Sequence, residues 1–289
     1  MVPGSFDYHR PRSLDEAVSL LAQFGEEGRV LAGGHSLIPM MKLRLAQPAH
    51  LIDLQGVPEL RGIAQVGEAI HIGAMTTQAE ILASEALAEV CPILREAAAQ
   101  IADPQVRSLG TIGGNVANGD PGNDMPAVMM CLDAAYALRG PQGERIVAAR
   151  AFYEGTFATA LKDGEVLTQV RIPLPPAGHG YAYEKLKRKV GDYATAAAAA
   201  ILALDGGACR RAAIALTNVA PTPLYAAAAG AALEGTAVDA GAVDEAAARA
   251  VAITDPVADL RGPVEFRRHA AGVMTRRAIE KALSRARGA

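Results

Sequence analysis

Hydrophobic positions in the first part of the chain switch between helical and strand-like spacing. Ser13-Leu-Asp-Glu16 is a capping box, and the apolar residues around it recur every three or four positions, which predicts an amphipathic helix. The apolar stretch Val30-Leu31-Ala32 runs directly into Gly33-Gly34-His35-Ser36, so a strand is expected to end in a glycine turn. Leu51 to Leu54 predicts another short strand. Together these elements predict a compact βα lobe over residues 1–55.

The middle of the chain predicts a sheet surrounded by helices. Ile63 to Ala74 alternates in part and carries Gly67-Glu68 in its centre, which is typical of a hairpin. Thr77-Gln-Ala-Glu80 is a second capping box. Pro173-Leu-Pro-Pro176 marks the principal boundary, which gives a middle lobe over residues 56–176. Its remaining predicted elements are a helix from Pro92 to Ala102, a short helix at Pro126–Leu132, a hairpin turning at Gly140–Gly143 and a strand at Glu165–Ile172.

The last region, residues 177–289, predicts an α+β domain. Asp205-Gly206-Gly207 separates two apolar runs, which is a good hairpin signal. From Arg261 onward the chain holds eight Arg and Lys residues against two Glu. Such a basic segment is either a solvated face that complements the C-terminal dipole of its own helix or a surface for an acidic partner. Helices are expected at Leu224–Leu233, Ala242–Val251 and Val264–Ala286.

Composition and charge narrow the class of protein. With 289 residues and 51% hydrophobic residues, the chain has globular composition and the length of about two domains. A net charge of -3 argues against a general nucleic-acid binder. The longest apolar run, Ala194 to Leu204, is far shorter than the ~20 residues of a membrane span. Because no leader pattern opens the chain, we expect a soluble, cytoplasmic protein.

Cysteine and histidine usage gives no sign of a metal site. Cys91, Cys131 and Cys209 are too far apart for zinc, iron–sulfur or dithiol redox spacing, so three buried thiols are expected. The six histidines form no HExxH pair. Any redox chemistry is therefore expected to come from an organic cofactor or from another chain.

Two glycine pairs, Gly33-Gly34 and Gly113-Gly114, are the candidate binding segments. Glycine permits a positive φ and close backbone approach, and successive N–H groups at such turns bind anions. Two such turns could hold one pyrophosphate, although either could equally be a purely structural turn. The chain has no GxGxxG, no GxxxxGK[ST] and no GxSxG motif. A Rossmann dehydrogenase, a P-loop NTPase and a serine hydrolase are therefore disfavoured.

Three longer motifs carry a family resemblance. Ala32-Gly-Gly-His-Ser36 with the following Leu37 to Arg44, Thr111-Ile-Gly-Gly-Asn115, and Tyr183 to Ala194 resemble, in order and spacing, the flavoprotein subunits of molybdenum hydroxylases. The opening Pro3 to Pro11 and the stretch Gly178 to Arg188 most resemble the carbon monoxide dehydrogenase branch of that family. The resemblance implies an α+β fold: a two-lobed FAD-binding (PCMH-type) α/β domain followed by a C-terminal α+β domain.

The resemblance also implies a set of FAD-contacting residues. The first loop would wrap the pyrophosphate and ribityl chain, and the second loop would hold the other side of the cofactor. An acidic residue would meet the cofactor's polar groups, a leucine would make a backbone contact, a lysine would lie near the flavin head, and a tyrosine would lie against the isoalloxazine ring. In that order the implied residues are Ala32, Gly33, Gly34, His35, Ser36, Leu37 and Ile38; Thr111, Gly113, Gly114 and Asn115; Asp124; Leu167; Lys185; and Tyr193.

The implied function is that of an oxidoreductase subunit that is competent only in its complex. FAD would take electrons from a small iron–sulfur subunit and a large molybdopterin subunit, arranged as a dimer of heterotrimers, and pass them to a quinone or another external acceptor. Because the flavin performs the electron chemistry, no catalytic side chain is required. The complex would lie in the cytoplasm, at the inner face of the membrane. The alternatives are the equivalent subunit of an aldehyde, purine or N-heterocycle hydroxylase, a self-sufficient flavin oxidoreductase, and a non-catalytic scaffold.

Overall fold

The N-terminal part of the computed structural model, which describes residues 2–288, is a small parallel sheet with two helices. The strand order is β1-β3-β2, and both neighbouring pairs are parallel. The Ser13 side chain accepts a hydrogen bond from the Glu16 N–H and caps the first helix, which confirms its predicted start. The elements are β1 (Asp7–His9), α1 (Leu14–Phe24), β2 (Gly28–Leu31), α2 (Leu37–Lys42) and β3 (His50–Asp53).

The middle part is a five-stranded antiparallel sheet with helices inserted between its second and third strands along the chain. Its strand order is β4-β5-β10-β6-β7. Thr77 and Glu80 form the predicted reciprocal capping box at the start of α3. The elements are β4 (Ile63–Val66), β5 (Ala69–Gly73), α3 (Gln78–Ala83), α4 (Glu85–Val90), α5 (Pro92–Gln100), α6 (Pro104–Leu109), α7 (Ile112–Ala117), α8 (Met125–Cys131), β6 (Ala135–Gly140), β7 (Gly143–Ala148), the small hairpin β8 (Tyr153–Gly155) and β9 (Ala158–Thr159), and β10 (Val166–Pro173).

The C-terminal part is a four-stranded antiparallel sheet followed by three helices. Its strands lie in the order β11-β12-β13-β14, and the predicted hairpin at Asp205-Gly206-Gly207 joins β12 to β13. The alanine-rich β12 is a strand despite the helical propensity of alanine, because tertiary context overrides that preference. The elements are β11 (Gly180–Leu186), β12 (Ala196–Asp205), β13 (Ala208–Thr217), β14 (Leu224–Tyr225), α9 (Ala227–Leu233), α10 (Ala240–Ala252) and α11 (Val264–Ala286).

Both faces of the C-terminal sheet are buried. Ala197 and Ala199 belong to the same hydrophobic core as the middle sheet and α8, whereas Ala198 and Ala200 belong to the core formed with α9, α10 and α11. Burial on both sides explains why β12 is continuously apolar rather than alternating. The middle part and one face of the C-terminal sheet therefore share a core, with β11 beside α5 and with α8 packed on β12 and β13. This arrangement confirms the expected α+β fold class.

Two predicted elements differ from the structure. Leu224 and Tyr225 were expected to start a helix, but they form β14, because their backbone pairs with Leu216 and Ala215 at the edge of the sheet. Gly113-Gly114 was expected to be a turn, but both glycines lie in α7. The Thr111 side chain caps that helix by accepting from the Gly114 N–H, so the backbone coils instead of turning.

The basic segment at the C-terminus is largely neutralised within the chain. In α11, Arg276 pairs with Asp244 at 2.8 Å, and Lys281 and Arg285 both reach Glu96 on α5, at 3.1 and 2.6 Å. These contacts make the helix an internal brace between the middle and C-terminal parts. The helix is therefore not a fully solvated face, although Arg268 and Arg277 remain exposed.

The cysteines are buried free thiols, as predicted. Burial raises the pKa of Cys91 to about 12. Within residues 2–288, no cluster of His, Cys, Asp or Glu side chains is placed to hold a metal ion. No helix in that same range is both long enough and apolar enough to cross a membrane.

Candidate functional site

The two glycine-rich segments lie against each other. Gly33 follows β2, and a Cβ atom built on it would lie 2.3 Å from the carbonyl oxygen of Leu109 and 2.8 Å from the Cα of Gly110. No side chain fits there without moving the backbone just before the second segment. Gly34 has a φ of +77°, which favours glycine. The sequence predicted a turn at these glycines. In the structure, this turn also contacts the backbone that precedes the second glycine-rich segment.

A cavity opens between the two segments. It has a volume of about 90 Å³, and Ala32, Gly113, Gly114 and Leu167 of the implied residues line it. A neighbouring cavity of about 80 Å³ shares Ala32 and adds Thr111. The structure thus brings together implied residues from three distant parts of the sequence. The remaining apolar lining of the larger cavity includes Val30, Leu54, Met75 and Leu161, none of which the sequence analysis named as a site residue.

The first loop carries unpaired backbone donors. In the described part of the chain, the N–H groups of Gly34, His35, Ser36 and Leu37 have no hydrogen-bond acceptor. The Ser36 side chain makes no capping bond to α2, and His35 is exposed. Consecutive free N–H groups of this kind form a concavity that binds anions such as a phosphate. Ile38 lies beneath the turn, 3.2 Å from where a Cβ of Gly34 would be.

The second loop uses its backbone donors internally. The Gly113 N–H donates to the Ala74 carbonyl at 2.8 Å, the Gly114 N–H to the Thr111 hydroxyl at 3.0 Å, and the Asn115 N–H to the Thr111 carbonyl at 3.0 Å. The two glycines of this loop therefore allow close backbone packing but offer no free N–H donors. A Cβ at Gly113 would collide with Ala74 at 2.6 Å.

Asn115 links the second loop to a second group of implied residues. Its side-chain oxygen accepts from the Met125 N–H at 3.2 Å, at the start of α8. The carbonyl oxygen of Asn115 accepts from the Asn123 side chain at 2.7 Å. These two bonds fix the segment that ends in Asp124 against the glycine-rich helix α7.

Asp124 and Lys185 form a buried ion pair. The Lys185 Nζ lies 3.0 Å from the Asp124 carboxylate, and the two side chains are 1% and 6% exposed. The Tyr183 hydroxyl donates to the same carboxylate at 2.5 Å. Burial raises the pKa of Asp124, an effect that the charge of Lys185 opposes. Burial, followed by the neighbouring Asp124, raises the pKa of Tyr183.

Tyr183 is a residue that the sequence analysis missed. A usable signal was present: residues two apart on a strand face the same way, so Tyr183 and Lys185 of β11 point toward the same carboxylate. Helix α5 fixes this strand edge through two side chains. The Tyr183 N–H donates to Glu96 at 2.9 Å, and the Gln100 amide donates to the Tyr183 carbonyl at 3.0 Å.

Tyr193 is a half-exposed aromatic ring at the rim of this region. Its side chain is 42% exposed and lies against Gly122, where a Cβ would come within 2.9 Å of the ring carbon Cδ1. The Arg261 guanidinium lies over the ring, 5.7 Å from its centroid. Burial raises the pKa of Tyr193, as do the nearby carboxylates Asp120 and Asp124. Arg261, which the sequence analysis did not name as a site residue, comes from a distant loop.

These features fit a flavin dinucleotide. The free N–H groups of the first loop suit a pyrophosphate, the apolar cavity suits an aromatic ring, and the exposed face of Tyr193 suits the isoalloxazine. The glycines at positions 33 and 113 let neighbouring segments pack backbone to backbone, since a Cβ at either position would collide with Leu109 or Ala74.

Comparison with known families agrees with this site. A family described as "FAD binding domain in molybdopterin dehydrogenase" matches residues 4–175. A second family, described as "CO dehydrogenase flavoprotein C-terminal domain", matches residues 181–282. The first family alone covers more than half of the chain, and together the two families span both parts of the expected architecture.

Individual relatives match over their full length. The chain is 61% identical to the carbon monoxide dehydrogenase medium chain of Afipia carboxidovorans, with 99% of this chain and 100% of that one covered. It is 48% identical to the medium chain from Hydrogenophaga pseudoflava, covering 99% of each. A crystal structure of the Cu,Mo-CO dehydrogenase superposes with a TM-score of 0.98 over 99% of this chain and 100% of that one, at 61% identity. The chain therefore belongs to the family of FAD-binding subunits of the molybdopterin dehydrogenases.

Proposed function

We propose that this chain is the FAD-carrying electron-transfer subunit of a carbon monoxide dehydrogenase. The observation that carries the proposal is the 61% identity, over the whole chain, to a carbon monoxide dehydrogenase medium chain. The first loop supports FAD binding, because its consecutive free N–H groups follow closely on Ala32, which lines a cavity bounded by the second loop. The enzyme is an oxidoreductase whose activity requires the complex.

We propose that the residues implied by the family contact different parts of FAD. Backbone donors of Gly34 to Leu37 would bind the pyrophosphate, and the cavity lined by Ala32 and Leu167 would take an aromatic part of FAD. Asp124 and Lys185 would meet polar atoms, and Tyr193 would pack on the isoalloxazine. When bound, FAD supplies the electron-carrying chemistry, while the protein binds, orients and shields it.

The partner subunits follow from the same proposal. Molybdopterin and iron–sulfur clusters would reside in a large and a small partner subunit, in a dimer of heterotrimers. The external acceptor would be a quinone or another electron acceptor, and the complex would work in the cytoplasm at the inner face of the membrane. Residues 1–55, 56–176 and 177–289 would form the two FAD-binding lobes and the C-terminal domain.

The test uses the complex purified with its partner subunits. Addition of CO without oxygen should bleach the flavin absorbance at ~450 nm. If an aldehyde, a purine or an N-heterocycle bleached it and CO did not, the chain would serve another hydroxylase. If NADH bleached the flavin of the isolated chain, a self-sufficient flavin oxidoreductase would be favoured instead.

A further inference from the structure

Five charged side chains of alternating sign run from the core of the C-terminal domain to the loop that carries Tyr193. Each neighbouring pair has a nitrogen–oxygen distance between 3.1 and 3.5 Å. The series joins three separate segments of the chain: helix α11, the loop that precedes it, and the loop after β11. Its members, in order, are Arg267, Asp259, Arg261, Asp192 and Arg188.

Arg267 anchors the buried end of this series. The residue is 2% exposed, and its guanidinium donates to the Val257 carbonyl at 2.7 Å, to the Thr195 carbonyl at 3.3 Å and to the Asn218 carbonyl. A planar guanidinium held on several sides is fixed in orientation. Asp259, which pairs with it at 3.3 Å, is fixed in turn.

Arg261 is the central link. One terminal nitrogen lies 3.3 Å from Asp259 and the other lies 3.5 Å from Asp192. Because a carboxylate holds each terminal nitrogen of the guanidinium, its plane has little freedom. Those two bonds leave it over the Tyr193 ring, at 5.7 Å from the centroid. Cations at this distance from an aromatic face are attracted to it.

Asp192 couples the cation to the backbone of the aromatic residue. One oxygen of its carboxylate accepts from the Tyr193 N–H at 2.9 Å, and the same oxygen lies 3.5 Å from Arg261. Burial acts to raise the pKa of Asp192, but the hydrogen bond and charge of Arg188 and the charge of Arg261 outweigh it and hold the pKa below its ordinary value. The carboxylate therefore stays charged at neutral pH and fixes both partners.

We propose that Arg261 is a positioning residue for Tyr193 and, through that ring, for the isoalloxazine. The proposal has two steps: Arg261 fixes the ring of Tyr193, and that ring in turn positions the isoalloxazine. Only the second step rests on the proposed function. The first step, from Arg261 to the ring of Tyr193, concerns this chain alone. The side chain of Arg261 would hold the ring against Gly122, so that the opposite face presents a fixed surface to the flavin.

The first step is tested on the full chain without cofactor. Tyrosines are replaced by 3-fluorotyrosine, and the fluorine resonance of Tyr193 is assigned by its loss in Tyr193→Phe. In Arg261→Met this resonance should move by more than its linewidth. In the control Arg210→Met, at an exposed arginine on β13, it should not move. An unmoved Tyr193 resonance in Arg261→Met would overturn the proposal.

A second variant guards against misfolding. Arg261→Lys keeps the positive charge but cannot bridge two carboxylates with a planar fork. It should move the Tyr193 resonance in the same direction as Arg261→Met and by less. A shift as large as that of Arg261→Met would also support positioning by the planar guanidinium. If Arg261→Lys had a native circular dichroism spectrum and no shift of the Tyr193 resonance, the proposal would be overturned.

The second step is tested on the assembled complex. Arg261→Met should weaken FAD binding by about 2- to 5-fold, with the upper value set by the full worth of the cation–aromatic contact that orients Tyr193. The visible circular dichroism of the bound flavin should change as well. Unchanged affinity together with an unchanged flavin spectrum would overturn this step. A wild-type complex that carries no FAD would contradict the proposed function, and the fluorine result would still decide the role of Arg261.

Discussion

Replacing Lys185 by methionine isolates the effect of the buried ion pair at the site. The substitution keeps an unbranched side chain that is one atom shorter and removes its charge. Asp124 would then keep the Tyr183 hydroxyl as a donor but would lose the ammonium group 3.0 Å away. Because Asp124 is 6% exposed, water cannot replace the missing partner without opening the interface between α8 and β11.

The expected cost follows from two bounds. At an effective dielectric constant of about 20, two charges 3.0 Å apart attract by about 5 to 6 kcal/mol before desolvation is subtracted. An orphaned Asp124 can instead take up a proton, which at neutral pH costs about 4 kcal/mol for a carboxyl with an ordinary pKa near 3.9. The cost of protonating Asp124 is the upper limit, because the folded variant adopts whichever protonation state of Asp124 has the lower free energy. We expect Lys185→Met to lower the free energy of unfolding by about 3 to 4 kcal/mol at neutral pH.

The pH dependence of this cost separates the ion-pair explanation from a simple packing defect. In the variant, burial keeps the pKa of Asp124 raised in the folded protein, so stability is lost as pH rises above the unfolded pKa. The loss is about 1.4 kcal/mol per pH unit until the folded pKa is reached. At about pH 5 the cost should therefore fall to about 1.5 kcal/mol.

Urea unfolding followed by far-ultraviolet circular dichroism measures this difference. The control is Lys189→Met, four residues along the chain, where the lysine is exposed. Its stability should stay within about 0.5 kcal/mol of the wild-type value at both pH values. If Lys185→Met cost the same at both pH values, or less than about 1 kcal/mol at neutral pH, the ion pair would not have the role assigned to it.

Three further predictions concern close packing and charge. Gly33→Ala should reduce FAD retention by more than about 10-fold, since its Cβ would lie 2.3 Å from a carbonyl oxygen, whereas Gly241→Ala on an open part of α10 should leave cofactor content unchanged. Gly180→Ala should lower the unfolding midpoint by several degrees in a thermal scan, because its Cβ would lie 1.7 Å from a carbonyl of α11; a wild-type midpoint would contradict that packing. The pKa of Asp192 is lowered, so its contribution to stability is present above about pH 3.9 and is lost as pH falls through the folded pKa. Asp192→Asn should make acid unfolding less steep below that pH, and an unaltered acid profile would contradict this assignment.

Local signals in the sequence predicted much of the fold. The Ser13 cap, the Thr77–Glu80 capping box and the glycine turn between β12 and β13 act over a few residues, and each lies where the pattern predicted a helix start or a hairpin. Other elements depend on distant partners. β1 forms because residues 7–9 pair with β3 more than 40 positions away, and β14 forms because it lies beside β13. Such pairings leave little trace in the spacing of apolar residues.

The same distinction applies to the site. The glycine-rich loops and Lys185 were predicted as site residues through motifs that are contiguous in sequence. Tyr183 and Arg261 were missed as site residues because their roles depend on tertiary contacts: the first with Asp124, 59 positions away, and the second with Asp192, 69 positions away. The sequence also did not reveal that the N–H groups of the second loop donate hydrogen bonds within the protein. Their acceptors are Thr111 and the backbone at the end of a separate strand.

The flavin content of the purified complex tests the central claim most directly. The complex is denatured, and the released cofactor is identified by mass and quantified against this chain. If FAD binds at the cavity between the two glycine-rich loops, the wild-type complex should release one FAD per chain, and the Gly33→Ala complex should have lost its FAD. Release of FMN, absence of flavin from the wild-type complex, or full FAD content in Gly33→Ala would contradict the assignment of that cavity as the cofactor site.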